Sequence, residues 1–238
     1  MSVSVKICGI SDSVSLEVAC EAGADFLGLV FFSKSPRNLS IKSAKTLRNL
    51  IPSNSQCKIV SLVVDQSDDF IEEMVQEINP DFIQLHGDHS IKRVSSLRSC
   101  LKKPLIKALS VSCEREVQQG LDYLLPGQVA DMILFDAKPT KSSTLPGGNG
   151  LQFDWRILSP VSGKVPFALA GGLNPDNVAN AVHCTGATMV DVSSGVERAP
   201  GKKDHDLIRL FIRNAKKAGL IKKTNFATLE KFYDKNGR

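Results

Sequence analysis

Eight short apolar runs recur along this chain, at residues 3–8, 26–31, 58–64, 82–85, 105–109, 132–136, 167–170 and 189–192. Most are nearly continuous in apolar residues rather than alternating, which is how parallel strands buried on both faces read. Helix patterns separate them. Ile71, Met74, Val75 and Ile78 fall at i, i+3, i+4, i+7 spacing behind Ser67 or Asp68 as N-cap. Ser40 opens a segment carrying Ile41, Ala44 and Leu47 that stops before Pro52, and Asn174-Pro175 reads as an N-cap and N1 pair. The helix after the first strand ends near Gly23. Leu207, Ile208, Phe211 and Ile212 mark the last strong amphipathic helix. Strand–helix alternation with no linker between two cores implies one α/β domain, and eight repeats imply a (β/α)₈ TIM barrel.

Polar residues gather at the C-terminal ends of these runs. Cys8 closes the first, Gly87 follows the fourth, Asp136 closes the sixth, and Gly171-Gly172 and Ser193-Ser194-Gly195 close the last two. Active sites of parallel barrels are built from those ends, so the placement points to an enzyme. Strand alternation puts Lys6 with Cys8, Gln84 with His86, and Asp191 with Ser193 on shared faces. The expected inward set is Lys6, Cys8, Gln84, Lys107, Asp136 and Asp191. Buried charges must be paired, and Lys6 and Lys107 would balance Asp136 and Asp191 in a pairing the sequence leaves open. The longest irregular stretch, residues 138–150, follows Asp136 directly and is expected to be an active-site lid.

Composition narrows the classes of function. No stretch approaches the ~20 uninterrupted apolar residues of a membrane span. The N-terminus enters a strand pattern without a secretory signal, so a cytoplasmic location is expected, with no membrane partner. Of the six cysteines, five are expected to be reduced, packed thiols. The net charge of +5 is local: seven basic and two acidic residues follow position 215, leaving 23 of each sign before it. A solvated tail fits that pattern better than a nucleic-acid arm, because no base-reading motif accompanies it. No His/Cys/Asp cluster has metal-ligand spacing. His89, His183 and His205 are expected at the surface.

Lys6-Ile7-Cys8-Gly9 resembles the opening K-[IV]-C-G of the phosphoribosylanthranilate isomerase family. Further matches follow in order: Gly28 with Phe31-Phe32-Ser33-Lys34-Ser35-Pro36-Arg37, Gln84-Leu85-His86-Gly87, and Phe135-Asp136. After these come Gly147-Gly148-Asn149-Gly150 with Phe153-Asp154-Trp155, then Ala170-Gly171-Gly172-Leu173. The last runs from Asp191 through Ser193-Ser194-Gly195-Val196-Glu197 to Gly201-Lys202-Lys203-Asp204. The resemblance spans residues 3 to about 218. Two departures stand out: Asn149 occupies a position where the family usually has Thr or Ser, and residues 219–238 extend past the usual end.

The resemblance implies an Amadori rearrangement in tryptophan biosynthesis, turning N-(5-phosphoribosyl)anthranilate into 1-(2-carboxyphenylamino)-1-deoxyribulose 5-phosphate. An acid must protonate the ribose ring oxygen, and a base must then remove the C2 proton. Both steps are proton transfers, so no cofactor or metal is expected. The resemblance implies Asp136 as acid and Cys8 as base, with Lys6 promoting the thiolate. It implies Arg37 at the anthranilate carboxylate. His86, Gln84 and Asp191 are candidate substrate contacts. Gly171, Gly172, Ser193, Ser194 and Gly195 are expected to hold the phosphate of a phosphoribosyl substrate. The barrel proper is expected over 1–218, with 219–238 a basic extension, and the chain as monomer or homodimer. Two rivals are a related histidine-pathway phosphosugar isomerase and a non-catalytic phosphometabolite-binding protein. The first typically ends strands one and five in Asp and shows half-barrel repetition, and here strand one ends in Cys8. The second would have no need of Cys8 and Asp136 together.

Overall fold

The computed structural model describes residues 3–52, 55–124, 129–138 and 153–236, with side chains as far as Leu220. Eight strands, β1 (Ser4–Cys8), β2 (Phe26–Phe31), β3 (Lys58–Val63), β4 (Phe82–Leu85), β5 (Leu105–Val111), β6 (Met132–Ala137), β7 (Phe167–Leu169) and β8 (Met189–Val192), follow the eight apolar runs. They pair in chain order, and β8 closes on β1 to complete a barrel. Every pairing is parallel, as in Lys6↔Phe26 and Lys6↔Asp191.

Helices α1 (Ser13–Glu21), α2 (Ile41–Asn49), α3 (Asp68–Ile78), α4 (Ile91–Leu101) and α5 (Glu114–Gly120) follow the first five strands, α6 (Val178–Thr185) follows β7, and α7 (His205–Asn236) follows β8. Their starts obey simple capping chemistry. Asp12, Ser40, Ser67 and Ser90 each accept a backbone N–H from three residues on, which satisfies a donor the helix cannot. Ile71, Met74 and Ile78 of α3 are buried, as the spacing predicts.

Three elements depart from the sequence reading. Asn174 caps a turn rather than the helix itself: its Oδ1 accepts from Asp176 N (2.9 Å) and Asn177 N (3.1 Å), and α6 starts at Val178. Beyond β6 the chain forms a short 3₁₀ turn, Trp155–Leu158. Helix α7 runs on to Asn236 without a break near residue 218, and Gly219 lies inside it rather than ending it. Gly219 of α7 lies against the start of β1, where a Cβ would come 2.7 Å from Val3 N. The expected lid, 138–150, lies outside the described residues except for Lys138.

Two cores result. The larger lies between strands and helices, with Ile7, Leu29, Ile83, Phe135, Val190 and Phe211 among its members. The smaller fills the lumen with Phe26, Val60, Ile106, Leu134, Ala168 and Met189. Above that plug, toward the C-terminal strand ends, sit Cys8, Val30, Phe32 and Leu62. Among the described residues no helix is long and apolar enough to cross a membrane.

Candidate active site

The lumen changes character one layer above the apolar plug. Lys6 is fully buried, and its Nζ donates to both carboxylate oxygens of Asp191, each at 3.0 Å. The β1–β8 register places these two residues side by side. Burial alone would lower the Lys6 pKa, but the charges of Asp191 and Cys8 and the bonds to them outweigh it and raise the value. Gly28 makes the room. A Cβ there would fall 2.8 Å from Cys8 Sγ and 3.1 Å from Lys6 Nζ, so only glycine lets β2 pass the pair.

Cys8 is buried beside Lys6, but the ammonium does not win. Burial raises the thiol pKa, Lys6 lowers it, and Asp191 opposes Lys6, so the net direction is upward. The cation expected to promote the thiolate is present and is largely spent on Asp191. Asp136 has its pKa raised. It is buried at the end of β6, and its pKa is pushed up to about 7 by burial, reinforced by Asp191 and resisted by a hydrogen bond from Ala137 N and by Lys6. His86 Nε2 stands 3.9 Å from Asp136 Oδ2. Gly171 lies against the same carboxyl: its φ is +86°, and a Cβ would come 2.6 Å from Ala137 N and 3.1 Å from Asp136 Oδ1. Gln84 is buried below His86 on β4, and its Oε1 has no hydrogen-bond partner among the described residues.

Lys107 is not part of this set. Its neighbours Ile106 and Ala108 face the lumen, so Lys107 points outward between strand wall and helices. There its Nζ donates to Gly87 O and Ala108 O, both at 2.7 Å, with the Tyr123 ring 5.7 Å away. The four-charge balance expected inside the barrel is therefore a single pair, Lys6 with Asp191. Asp136 has no lysine or arginine in contact among the described residues.

The rim is built by a hairpin just after β8. Strands β9 (Glu197–Ala199) and β10 (Lys202–Lys203) fold back over the loop after β2. Arg37 is 5% exposed, and its Nε and Nη2 grip Glu197 at 2.7 and 2.8 Å. Lys203 donates to the same Glu197 at 2.7 Å and to Ser193 O at 2.9 Å. Glu197 stays ionised: its pKa lies below the usual range because the Arg37 and Lys203 contacts outweigh burial. Of the guanidinium nitrogens, Nη1 alone makes no hydrogen bond among the described residues.

The two glycine- and serine-rich turns meet. Gly195 packs so closely on the β7 loop that a Cβ would fall 1.9 Å from Leu173 O, and Asn177 Nδ2 donates to Gly172 O at 2.9 Å. Gly171-Gly172 and Ser193-Ser194-Gly195 thus form one continuous lip. The structure brings Cys8, Asp136, His86, Gln84, Asp191, Arg37 and this lip to one barrel end. Glu197 and Lys203 were missed as site residues, although both stand in the last motif, and their opposite charges six residues apart were the available signal. The cysteines and histidines also differ from expectation. Cys100 and Cys184 are exposed, and His89 is half-buried because Tyr123 and the β4 loop close over it, its Nδ1 without a hydrogen-bond partner among the described residues.

The family model described as N-(5'phosphoribosyl)anthranilate (PRA) isomerase matches residues 5–214. A Rhodopseudomonas palustris protein named N-(5'-phosphoribosyl)anthranilate isomerase is 47% identical over 216 residues, covering 91% of this chain and 97% of that protein. One of the same name from Parvibaculum lavamentivorans is 45% identical over 220 residues, covering 92% and 100%. The crystal structure of phosphoribosyl anthranilate isomerase from Thermotoga maritima superposes with a TM-score of 0.79 at 35% identity, covering 90% of this chain and 98% of that one. Another, in complex with reduced 1-(o-carboxyphenylamino)-1-deoxyribulose 5-phosphate, gives 0.76 at 34% identity, with the same coverage of each chain.

Proposed function

The chain belongs to the N-(5'-phosphoribosyl)anthranilate isomerase family, and from that premise we propose how its residues divide the work of the reaction. The activity is the isomerisation of N-(5-phosphoribosyl)anthranilate in tryptophan biosynthesis, on a single (β/α)₈ barrel. Asp136 protonates the ribose ring oxygen and opens the ring to a Schiff base. Cys8 removes the C2 proton, and the enolamine becomes the ketone. Arg37 holds the anthranilate carboxylate, fixed in place by Glu197. The joined lip of Gly171, Gly172, Ser193, Ser194 and Gly195 holds the phosphate through backbone N–H groups. His86, Gln84 and Asp191 line the space between.

The observation that carries this reading is the Asp136 carboxyl, buried in the same lumen as Cys8 with its pKa pushed up to about 7. The raised Cys8 thiol has a consequence. With the acid near 7 and the thiol above its usual 9, the working form, protonated Asp136 with Cys8 thiolate, is a minor tautomer of the resting enzyme. Only its rate of turnover matters, and the iminium of the opened substrate favours the thiolate electrostatically. The kcat/KM profile is then a bell with limbs near 7 and above 9. Cys8→Ser should erase the upper limb and Asp136→Asn the lower, each costing about 10²–10⁴-fold in kcat while product still binds. Near wild-type kcat in folded Cys8→Ser protein would move the base to His86 or Asp191.

Residues 1–218 carry the reaction, and 219–238 are an extension dispensable for it. Truncation after Gly219 should leave kcat and soluble yield unchanged, and loss of either would show that the extension docks on the body. The cytoplasmic location expected from the sequence belongs to this same reading. A Thermotoga maritima structure is of monomers of a dimeric relative, and sedimentation decides between monomer and homodimer here.

A further inference from the structure

Beneath the rim, two side chains of the β9–β10 hairpin join the Arg37 loop to the phosphate lip. Glu197 opens β9, Lys203 closes β10, and the strand register pairs them. Their side chains are 3% and 0% exposed. Among the described residues, four donors fill the Glu197 carboxylate. Arg37 Nε and Lys203 Nζ donate to Oε1, both at 2.7 Å, while Arg37 Nη2 (2.8 Å) and Gly201 N (3.2 Å) donate to Oε2. Lys203 Nζ also donates to Ser193 O at 2.9 Å and lies 3.4 Å from Ser193 Oγ. An unbroken path, Arg37–Glu197–Lys203–Ser193, therefore runs from one subsite to the other. Two glycines keep it tight. Gly9, next to Cys8, has a φ of +77°, and a Cβ there would fall 2.5 Å from Arg37 Cδ and 3.2 Å from Ser193 Oγ. At Gly201, with φ +75°, a Cβ would fall 2.5 Å from Pro36 O, so the hairpin turn sits directly on the loop that carries Arg37.

We propose that Glu197 and Lys203 are positioning residues that fix the spacing between the carboxylate anchor and the phosphate lip. This rests on Arg37 taking the aromatic carboxylate and the lip taking the phosphate. Glu197 and Lys203 act through those groups and not on the substrate, because their polar atoms are engaged with each other, with Arg37 and with Ser193. Such a strut matters most after the ring opens. While the ribose is closed, its covalent geometry sets the separation of the two substrate ends. Breaking the bond between C1 and the ring oxygen leaves an open chain with several free rotations. The C2 proton then stays beside Cys8 only if both ends are pinned to one rigid unit, which is the proximity contribution to catalysis. The planar fork of Arg37, bidentate on Glu197, supplies the rigidity at the carboxylate end.

Lys203→Met cuts the path, and Arg37 still neutralises Glu197. In the full-length variant kcat should fall about 10–10²-fold, by more than KM rises. Inorganic phosphate and anthranilate each fill one subsite, and as inhibitors they should stay within about twofold of their wild-type affinities. A reduced, non-reacting product analogue carrying both groups should bind about tenfold weaker or more, because it alone needs the two subsites at the right separation. If Lys203→Met does not fold, Lys203→Gln keeps a donor in the buried site on a shorter side chain and should show the same split. Wild-type kcat in either folded variant would overturn the proposal. Equal weakening of phosphate, anthranilate and the two-ended analogue would also overturn it, and would make the pair plain support for the rim. The subsites themselves are checked separately with the wild type and Arg37→Ala. If phosphate and anthranilate do not compete with substrate in the wild type, or if Arg37→Ala leaves anthranilate inhibition intact, the assignment of the anchors fails and the strut has nothing to join.

Discussion

Lys6 and Lys107 are both removed from water, at 0% and 1% exposure, on opposite faces of the barrel wall. Lys6 points into the lumen and meets Asp191, and its pKa rises despite burial. Lys107 points toward the helices and meets two carbonyls, and burial drives its pKa down to about 8, with Asp88 offsetting only part through space. The environment differs by one carboxylate. Burial does not decide the fate of a charge here; the partner does. Asp136 repeats the lesson with the opposite sign. It sits in the lumen with no lysine or arginine in contact among the described residues, and burial raises its pKa to about 7, the range an acid catalyst needs.

The largest effect expected from breaking this pattern is at Asp136. A carboxyl whose folded pKa is raised from 3.8 to about 7 binds more protons in the folded than in the unfolded state between those values. Stability therefore falls as pH rises through that window, by on the order of 4 kcal/mol. Asp136→Asn keeps the acceptor for Ala137 N and removes the titration. It should lose about 10²–10⁴-fold in kcat and gain stability at pH 8, read by urea unfolding. A variant that is inactive and no more stable at pH 8 than wild type would mean the carboxyl is not strained by its surroundings.

Lys6→Met tests the paired member. It strands the Asp191 carboxylate in the lumen, and removing one partner of a buried pair costs about 3–5 kcal/mol. Because the folded Lys6 pKa is raised, the stabilisation is fully present below the unfolded value of 10.5 and is lost only above the folded one. The penalty should thus be the same at pH 6 and pH 9. At the rim, Arg37→Ala leaves Glu197 with Lys203 as its remaining contact cation. Substrate binding should weaken by about 2–5 kcal/mol, seen in KM, and an analogue without the aromatic carboxylate should lose far less. Equal losses for both would reduce Arg37 to support for the hairpin.

The eight strands were legible because each run is short, apolar and bounded by turn chemistry, and seven of the eight were placed within one residue at each end. The phase of β5 was not. Leu105, Ile106, Ala108 and Leu109 are apolar on both faces of that strand, so alternation offers no reference for which side is inward. Lys107 was assigned inward to balance two aspartates, whereas the lumen-facing register of Ile106↔Met132 and Ala108↔Leu134 is fixed by tertiary pairing. The Arg37–Glu197–Lys203 cluster was hidden for a related reason. It joins residues 160 positions apart through a hairpin whose strands are too short to leave a periodic signal. The positions of Cys8 and Asp136 at strand ends were legible, but a lone thiol there reads as packing, and the family resemblance is what made Cys8 a candidate base. The sequence shows that Lys6 is near Cys8, and Lys6 does lower the thiol pKa, but it does not show that burial and Asp191 act in the other direction.

The smallest effect should come from Lys107→Met, and its pH dependence is the sharpest test of the contrast between the two lysines. At pH 7 the wild-type ammonium carries a burial cost with no carboxylate in contact among the described residues, but it satisfies Gly87 O and Ala108 O. The variant loses two hydrogen bonds and sheds the charge. These terms oppose one another, so the net change at pH 7 should be within about 1–2 kcal/mol. Between pH 8 and 10.5 the unfolded lysine is still protonated while the folded one is not. The unfolded state then binds more protons, and wild-type stability rises with pH by up to about 3 kcal/mol relative to the variant. Unfolding measured at pH 7 and at pH 10 should show the wild type gaining on Lys107→Met, while its advantage over Lys6→Met stays level. Because Lys107 faces away from the lumen, kcat should change only a few-fold. A difference between wild type and Lys107→Met that is the same at both pH values would mean that the outer lysine is as well paired as the inner one.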